Sequence, residues 1–178
     1  MPTRPSIQRI HCVFLLFALL PLFSAAPLHP AKAEPAAGSR PVYVIPVSGT
    51  VDPGMSAFME RACREAMQDP EGLLVFEINT FGGRVDAALD IVDTLLTVPA
   101  QPSIAFVKKK AISAGALIAL SCGKLVMRPA TTIGDCAPIS YSQEGPQMMG
   151  EKFQSPIRAK FRALARRNGY PEALAEAM

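Results

Sequence analysis

LLVFEINTFGGRVDAALDIVDTLL, residues 73–96, carries the clearest fold signal in this chain. Residues 73–78 form an apolar run that only Glu77 interrupts, which predicts a central strand covered on both faces. In residues 85–96 the apolar positions recur at spacings of four, three and four, which predicts an amphipathic helix. The adjacent glycines 82–83 stand between the two segments and predict a tight turn. We therefore expect one strand–turn–helix unit here.

The same alternation of strand and helix extends in both directions from this stretch. Further strands are expected at residues 42–47, 103–107 and 124–127, and further helices at residues 53–68 and 113–120. A last helix carries Ile157, Phe161 and Leu164 on one side, and Ser155-Pro156 predicts its start. Strands that alternate with helices predict an α/β fold with a mainly parallel sheet between helical layers.

The first 33 residues have the pattern of a signal peptide. Arg4 and Arg9 precede an apolar run at residues 12–23, which is too short to span a bilayer comfortably. Ala31-Lys32-Ala33 then offers a small-x-small cleavage site. We expect cleavage after Ala33 and an exported protein with a linker at residues 34–40 and a single domain at residues 41–178; the alternative is an uncleaved membrane anchor.

Charge and cysteine content exclude some classes of function. The whole chain has 18 basic and 15 acidic residues, but Arg4, Arg9 and Lys32 belong to the leader, so the mature chain is near neutral. A near-neutral chain offers no general case for nucleic-acid binding. The mature cysteines are odd in number, so buried free thiols are favoured over a single Cys122–Cys136 disulfide, and no metal-ligand spacing occurs; they are Cys63, Cys122 and Cys136.

Ser113 is the candidate nucleophile. It lies in Lys110-Ala111-Ile112-Ser113-Ala114-Gly115-Ala116, between a strand-like run and a helix made of small residues. The plain alternative is a helix N-cap. In a parallel sheet the ends of neighbouring strands meet, so the backbone amides of Gly83 and Ala114 could point at one substrate carbonyl oxygen. The only histidines, His11 and His29, lie in the leader, which leaves lysine as the candidate base.

Three ordered segments resemble the ClpP-class membrane-associated serine proteases of the NfeD type. They are residues 79–87 (NTFGGRVDA), 111–116 (AISAGA) and 127–134 (MRPATTIG), and the resemblance extends over residues 42–178. It implies a ClpP/crotonase-like core and a serine endopeptidase that uses a Ser–Lys dyad without metal or cofactor. In this chain it implies Ser113 as nucleophile, Lys152 as base, and Gly82, Gly83 and Ala114 as oxyanion and substrate-binding residues.

A lysine that acts as a base must be neutral, so its pKa has to fall from about 10.4 to about 7 or 8, which requires burial. Lys152 stands beside apolar Met148, Met149 and Phe153 and is predicted to be buried. The remaining lysines lie in charged surroundings and are predicted to be solvated: they are Lys108, Lys109, Lys110, Lys124 and Lys160.

The chain departs from the family pattern at two places. Phe81 occupies the position before the glycines where the family usually has proline, which is expected to alter the turn or a substrate subsite. The domain also stops at Met178, before the last helix and strand and the membrane-spanning segments of long members, so it is expected to be C-terminally incomplete.

The resemblance also implies partners and a location. It points to apolar segments of membrane-associated proteins such as stomatin-like proteins, to homo-oligomers, and to the extracytoplasmic face of a membrane. Two rival functions remain open. A crotonase-like acyl-CoA enzyme would share the glycine geometry, but export makes coenzyme A an unsuitable ligand. A catalytically silent scaffold would bind membrane-protein partners through the same groove.

Overall fold

Strands and helices alternate along the computed structural model, which describes residues 40–98 and 103–178. The strands are β1 Val42–Val51, β2 Leu73–Gly83, β3 Ser103–Ile112, β4 Lys124–Met127, β5 Thr132–Gly134, β6 Ile139–Ser142 and β7 Gly145–Met148. The helices are α1 Pro53–Ala66, α2 Val85–Thr97, α3 Ala114–Ser121, α4 Glu151–Asn168 and α5 Glu172–Glu176. None of these helices is long and apolar enough to cross a membrane. The predicted signal peptide and residues 34–39 of the linker lie outside the described residues.

The main sheet is parallel throughout. Its order is β1-β2-β3-β4, and β5 pairs with the end of β3 beyond the point where β4 stops. In register, Val44 lies opposite Val75, Val75 opposite Ile104 and Ile104 opposite Lys124. Strands β6 and β7 form a separate antiparallel hairpin. The mainly parallel α/β architecture predicted from the sequence is confirmed.

The helices cover one face of this sheet in the described residues, where the sequence predicted helices on both. Along β2 the side chains alternate between buried and half-buried, from Leu73 to Thr80. Right-handed crossovers between strands that follow one another in sheet order place every helix on the same side. The other face, which includes Val42, Val44 and Val126, is partly exposed.

Helix α3 lies at the centre of the core and packs on β2 and β3, with all eight of its residues buried. Its small residues permit a close approach to the sheet. A Cβ atom on Gly115 would come within 2.6 Å of Thr80 Cγ2, so only glycine fits against that strand without a shift. The helix start that carries Ser113 is thus held by tight packing.

Some element boundaries differ from the sequence expectation. Strand β2 continues through Gly83, so the two glycines end a strand and do not form a separate turn. Helix α4 begins at Glu151 with Gly150 as its N-cap, and the prediction that it begins at Ser155-Pro156 is wrong. Pro156 lies inside this helix as its sixth residue, where it removes the N–H that would have bonded the Lys152 carbonyl.

Replacing Phe76 tests the packing of the core. Phe76 is fully buried on β2, and we expect Phe76→Ala to lower the free energy of unfolding by about 3–5 kcal/mol, because it loses transfer energy and leaves a cavity. The matched control is Phe81→Ala on the same strand, where the ring is 73% exposed and the loss should be below about 1 kcal/mol. Urea unfolding of both variants measures the difference, and equal losses would contradict the assigned burial.

Candidate active site

The two segments that the sequence paired do meet, at the carboxyl end of the sheet. Strands β2 and β3 run side by side up to the pair Thr80 and Ala111. Beyond it, the position of a Cβ on Gly82 would be 2.7 Å from Ser113 Cβ and 3.0 Å from the Ala114 nitrogen. Gly82 also has a φ of 97°, which disfavours other residues. The absent side chain lets the β2 backbone lie directly against the serine.

Ser113 has a strained backbone, and its hydroxyl has no hydrogen-bond partner within residues 40–98 and 103–178. Its φ of 53° and ψ of −119° are rare for a residue with a Cβ and cost about 1–3 kcal/mol. Its N–H donates to the Gly134 carbonyl at 2.8 Å, and its carbonyl accepts from the amide of Ala116 at 2.9 Å. The side chain makes no capping bond to α3, so the ordinary N-cap alternative does not account for this serine.

Two backbone amides face the serine side of the site. Gly83 pairs with Val51, and Val51 O accepts from the Arg84 amide at 2.8 Å, so the Gly83 N–H itself points away from β1. Ala114 is the first residue of α3, where N–H groups have no acceptor within the helix. The amide of Gly82 is different, because it donates to Thr80 Oγ1 at 2.9 Å and is already used.

A small cavity of about 20 Å³, open to solvent, lies beside Ser113. Its walls are almost entirely apolar and come from the end of β2, from α2, α3 and α4, and from the segment after β5: they are Gly83, Val85, Ala88, Ala114, Leu117, Cys136, Ile157 and Phe161. The space is smaller than an amino-acid side chain, so an apolar group could contact only the mouth of this cavity, next to the Ser113 hydroxyl.

Cys136 contacts Ser113, and the sequence analysis did not predict this contact. Its Sγ donates to the Ser113 carbonyl at 3.5 Å, and burial raises the pKa of the Cys136 thiol to about 12. Cys136 lies 23 residues after Ser113 in the sequence, and no local sequence pattern predicts the contact. All three cysteines in the described part of the chain are free, which confirms the expected unpaired thiols; Cys63 and Cys122 are fully buried.

Lys152 lies in the first turn of α4 and is exposed, so the prediction of burial is wrong for this structure. Its neighbours Met148 and Phe153 are themselves exposed and form no apolar cover. Within residues 40–98 and 103–178 its ammonium has neither a hydrogen bond nor an ion pair. The same helix nevertheless reaches the serine cavity through Ile157 and Phe161.

The other lysines near the sheet are already engaged. Lys108 pairs with Glu77 at 3.0 Å, and Lys160 pairs with Asp93 at 3.0 Å. The ammonium of Lys110 lies 3.4 Å from the centre of the Phe81 ring. These contacts leave Lys152 and the exposed Lys109 and Lys124 without partners in the described part of the chain.

The chain is similar to two relatives of known sequence. The chain is 39% identical over 107 residues to "Membrane protein NfeD1b" of Bacillus subtilis, a match that covers 60% of this chain and 23% of that protein. It is 32% identical over 149 residues to "Membrane-bound protease PH1510" of Pyrococcus horikoshii, which covers 81% of this chain and 34% of that protein. The chain thus spans a quarter to a third of the length of these relatives.

Solved structures agree with the fold. A serine-to-alanine mutant of the 1510-N membrane-bound stomatin-specific protease matches with a TM-score of 0.72 and 32% identity, over 77% of this chain and 68% of that one. A lysine-to-alanine mutant in complex with a substrate peptide has the same TM-score and 31% identity, over 78% and 65%. The family model described as "NfeD1b, N-terminal domain" matches residues 41–178. This chain therefore belongs to the family of NfeD1b N-terminal domains.

Proposed function

We propose that this domain is a serine endopeptidase in which Ser113 attacks the carbonyl carbon of a peptide bond. The bond from Oγ to carbon forms, the C–N bond breaks, and water later hydrolyses the acyl-enzyme. The observation that carries the proposal is a serine held at a positive φ at a helix start, close against Gly82, whose hydroxyl has no hydrogen-bond partner in the described residues. Strained backbone of this kind persists where surrounding packing imposes it, and it is concentrated at functional sites.

The amides of Gly83 and Ala114 are the proposed oxyanion donors. They come from different strand ends, face the same space beside Ser113, and belong to a rigid backbone that needs no rearrangement. The N-terminal end of α3 adds the positive end of a helix dipole to the same place. The amide of Gly82 is bonded to Thr80 and is not a proposed donor. Gly82 contributes to the site by lacking a side chain, which leaves room for Ser113.

Lys152 is the proposed base, which takes the Ser113 proton and returns it to the leaving amine. It lies five residues before Ile157, whose side chain lines the serine cavity, so it is about 7.5 Å further along the helix axis. The two positions are also about 140° apart around the axis, so the four-carbon stem of Lys152 reaches Ser113 only if the first turn of α4 moves as well. In the solved relative, the serine and the lysine replaced in the two mutants lie about 40 positions apart, as Ser113 and Lys152 do here.

The proposed substrates are apolar peptide segments of membrane-associated proteins. The cavity walls are apolar, and the solved relative is called stomatin-specific, with a mutant of it solved in complex with a substrate peptide. We extend to this chain a stomatin-like partner, a homo-oligomeric assembly, and an exported location on the outer face of a membrane. The predicted leader and the membrane-bound relatives support that location.

Cleavage of an internally quenched ten-residue peptide of leucine and valine by the full chain tests the function. We expect the parent to cleave it and Lys152→Ala to lose about 10²–10⁴-fold in kcat/KM, the usual contribution of a general base. The matched control is Lys109→Ala, which removes another exposed lysine without a partner in the described residues and should retain activity. Full activity in Lys152→Ala would assign the proton transfer to a different group.

A silent scaffold is the second candidate function, and the exposure of Lys152 favours it. A lysine without contacts in the described residues is not arranged as a base in this structure. The scaffold reading predicts that the parent binds the leucine–valine peptide without cleaving it, and that Ser113→Ala binds it equally well. Cleavage by the parent that disappears in Ser113→Ala would reject the scaffold.

A further inference from the structure

The face of the main sheet opposite the helices carries a contiguous apolar patch. Val44 lies beside Val75 and Val75 beside Ile104, in one row across three strands. The next row brings Phe106 beside Val126. We name this patch the open face, and its side chains are exposed or half-buried: they are Val42, Val44, Val75, Ile104, Phe106 and Val126.

An uncovered face of this composition is unusual for a parallel sheet, because all-parallel sheets occur almost only where both faces are covered. Phe76 and Ile78, which lie under the helices, are fully buried, whereas Val44 on the open face is 60% exposed. Contiguous exposed apolar surface of a few hundred Å² marks an interaction site. The described residues therefore supply one covering layer, and the open face requires a second.

The charged residues of this face are matched within the chain or lie at its edge. Glu77 interrupts the apolar rows, and it pairs with Lys108 at 3.0 Å. The ammonium of Lys110 lies 3.4 Å from the centre of the Phe81 ring, on the same face. Lys124 is exposed at the start of β4, the last strand of the sheet. An apolar centre with a polar rim is the composition of a protein–protein interface, and paired charges lower the cost of covering it.

A second copy of this chain fits the open face. With Pro46 and Leu73, which complete the rows, the face exposes roughly 500 Å² of apolar surface, so two copies that face each other bury about 1,000 Å², where specific interfaces begin. Two sheets pack face to face with interdigitated side chains about 10 Å apart, so such a face is its own complement. The outer surface of α1 and α2 is polar instead and carries Glu60, Arg64, Asp90 and Asp93.

We propose that the open face is the interface of a symmetric dimer, in which the same apolar side chains of two copies pack against each other. A contact between identical surfaces closes at two copies. The dimer leaves the serine site accessible, because the cavity beside Ser113 is lined by helices on the covered face. The inference goes beyond the proposed peptide cleavage: it assigns a surface to the homo-oligomer and uses none of the catalytic residues.

Val44→Lys in the full chain tests this interface. Val44 is an exposed residue of the edge strand β1, so the lysine leaves the core of each copy intact. We expect the parent to sediment as two copies and the variant as one. The dissociation constant should rise at least about a hundredfold, because each lysine would be buried without a partner. Sedimentation velocity over a dilution series measures the mass, and circular dichroism confirms folding.

Two further variants control the test. Leu174→Lys changes a side chain of the same 60% exposure, on α5, and should remain dimeric. If Val44→Lys fails to fold, Val126→Lys takes its place, since it adds a lysine to the same face from β4, where the side chain is also exposed.

A monomeric parent would overturn the proposal, and so would a dimer that Val44→Lys leaves intact. Assemblies of more than two copies that Val44→Lys dissolves would overturn the symmetric contact, because the open face would then meet a different surface of the next copy. A monomeric parent that floats with phosphatidylcholine vesicles, when Val44→Lys does not, would assign the face to a lipid surface instead.

The protease proposal is judged separately, by cleavage of the leucine–valine peptide. A dimer without cleavage would reject the protease and keep the interface. Cleavage by a monomeric parent would keep the protease and reject the interface.

Discussion

Ser113→Ala is expected to reduce cleavage of the leucine–valine peptide by about 10⁴-fold or more, since loss of a nucleophile removes the covalent route. The change deletes a hydroxyl that makes no capping bond and keeps the Cβ atom. The free energy of unfolding should therefore stay within about 0.5 kcal/mol of the parent. Steady-state kinetics and urea unfolding of the same preparation measure both quantities.

Ser113→Gly provides the informative comparison. Glycine adopts a φ of 53° without penalty, so this variant should be about 1 kcal/mol more stable than Ser113→Ala and equally inactive. If Ser113→Gly is more stable than Ser113→Ala and also inactive, the backbone strain at Ser113 serves function and not stability. If Ser113→Ala kept its activity, Ser113 would not be the nucleophile. If glycine were no more stable than alanine, the strain assigned to this residue would be wrong.

Gly83→Ala is expected to damage both folding and activity. A Cβ atom there would come within 2.1 Å of the Val51 carbonyl oxygen and 2.7 Å of the Val51 nitrogen. Because both are backbone atoms, the ends of β1 and β2 must move apart, which should cost about 3 kcal/mol. The displaced Gly83 amide would also no longer meet the oxyanion, and loss of one such donor lowers kcat by about 10²–10³-fold.

Gly150→Ala is the matched control for that change. Nothing lies within 4 Å of a Cβ at Gly150, and its φ of −64° suits alanine. Its unfolding free energy should change by less than about 1 kcal/mol. Urea unfolding and peptide cleavage of the two variants are compared side by side. A stable, fully active Gly83→Ala would show that neither the strand contact nor the amide has the assigned role.

Helix positions show how much of the packing local periodicity predicts. In α2 the predicted stripe was Val85, Leu89, Val92 and Leu96, yet the fully buried apolar side chains are Ala87, Ala88, Ile91, Val92 and Leu95. Spacing predicts the helix correctly, but its rotation about its own axis depends on the neighbours it packs against. Here α2 packs against both α1 and α3, so the side of the helix that is buried differs from the side with the predicted apolar stripe.

Some contacts of the candidate site could be predicted from the sequence and others could not. The juxtaposition of the glycines with Ser113 was predictable, because parallel strands bring their carboxyl ends to one edge. The contact of Cys136 with Ser113 and the ring of Phe81 under Lys110 were not, since each joins segments that local sequence does not relate. Lys152 was predicted to be buried by its apolar neighbours, which lie in solvent themselves.

The sequence by itself determined the order of β1–β4 and α1–α4, the parallel α/β class, and the candidate nucleophile, but it did not predict β5, β6, β7 or α5. The predicted features depend on short-range periodicity, on glycine and serine chemistry, and on the lack of histidine after residue 29. Only the tertiary structure decided which face of the sheet is covered, that Ser113 has a strained backbone, and that Lys152 is exposed. The reason is physical: burial and backbone strain arise from contacts between segments distant in sequence, and no local pattern encodes them.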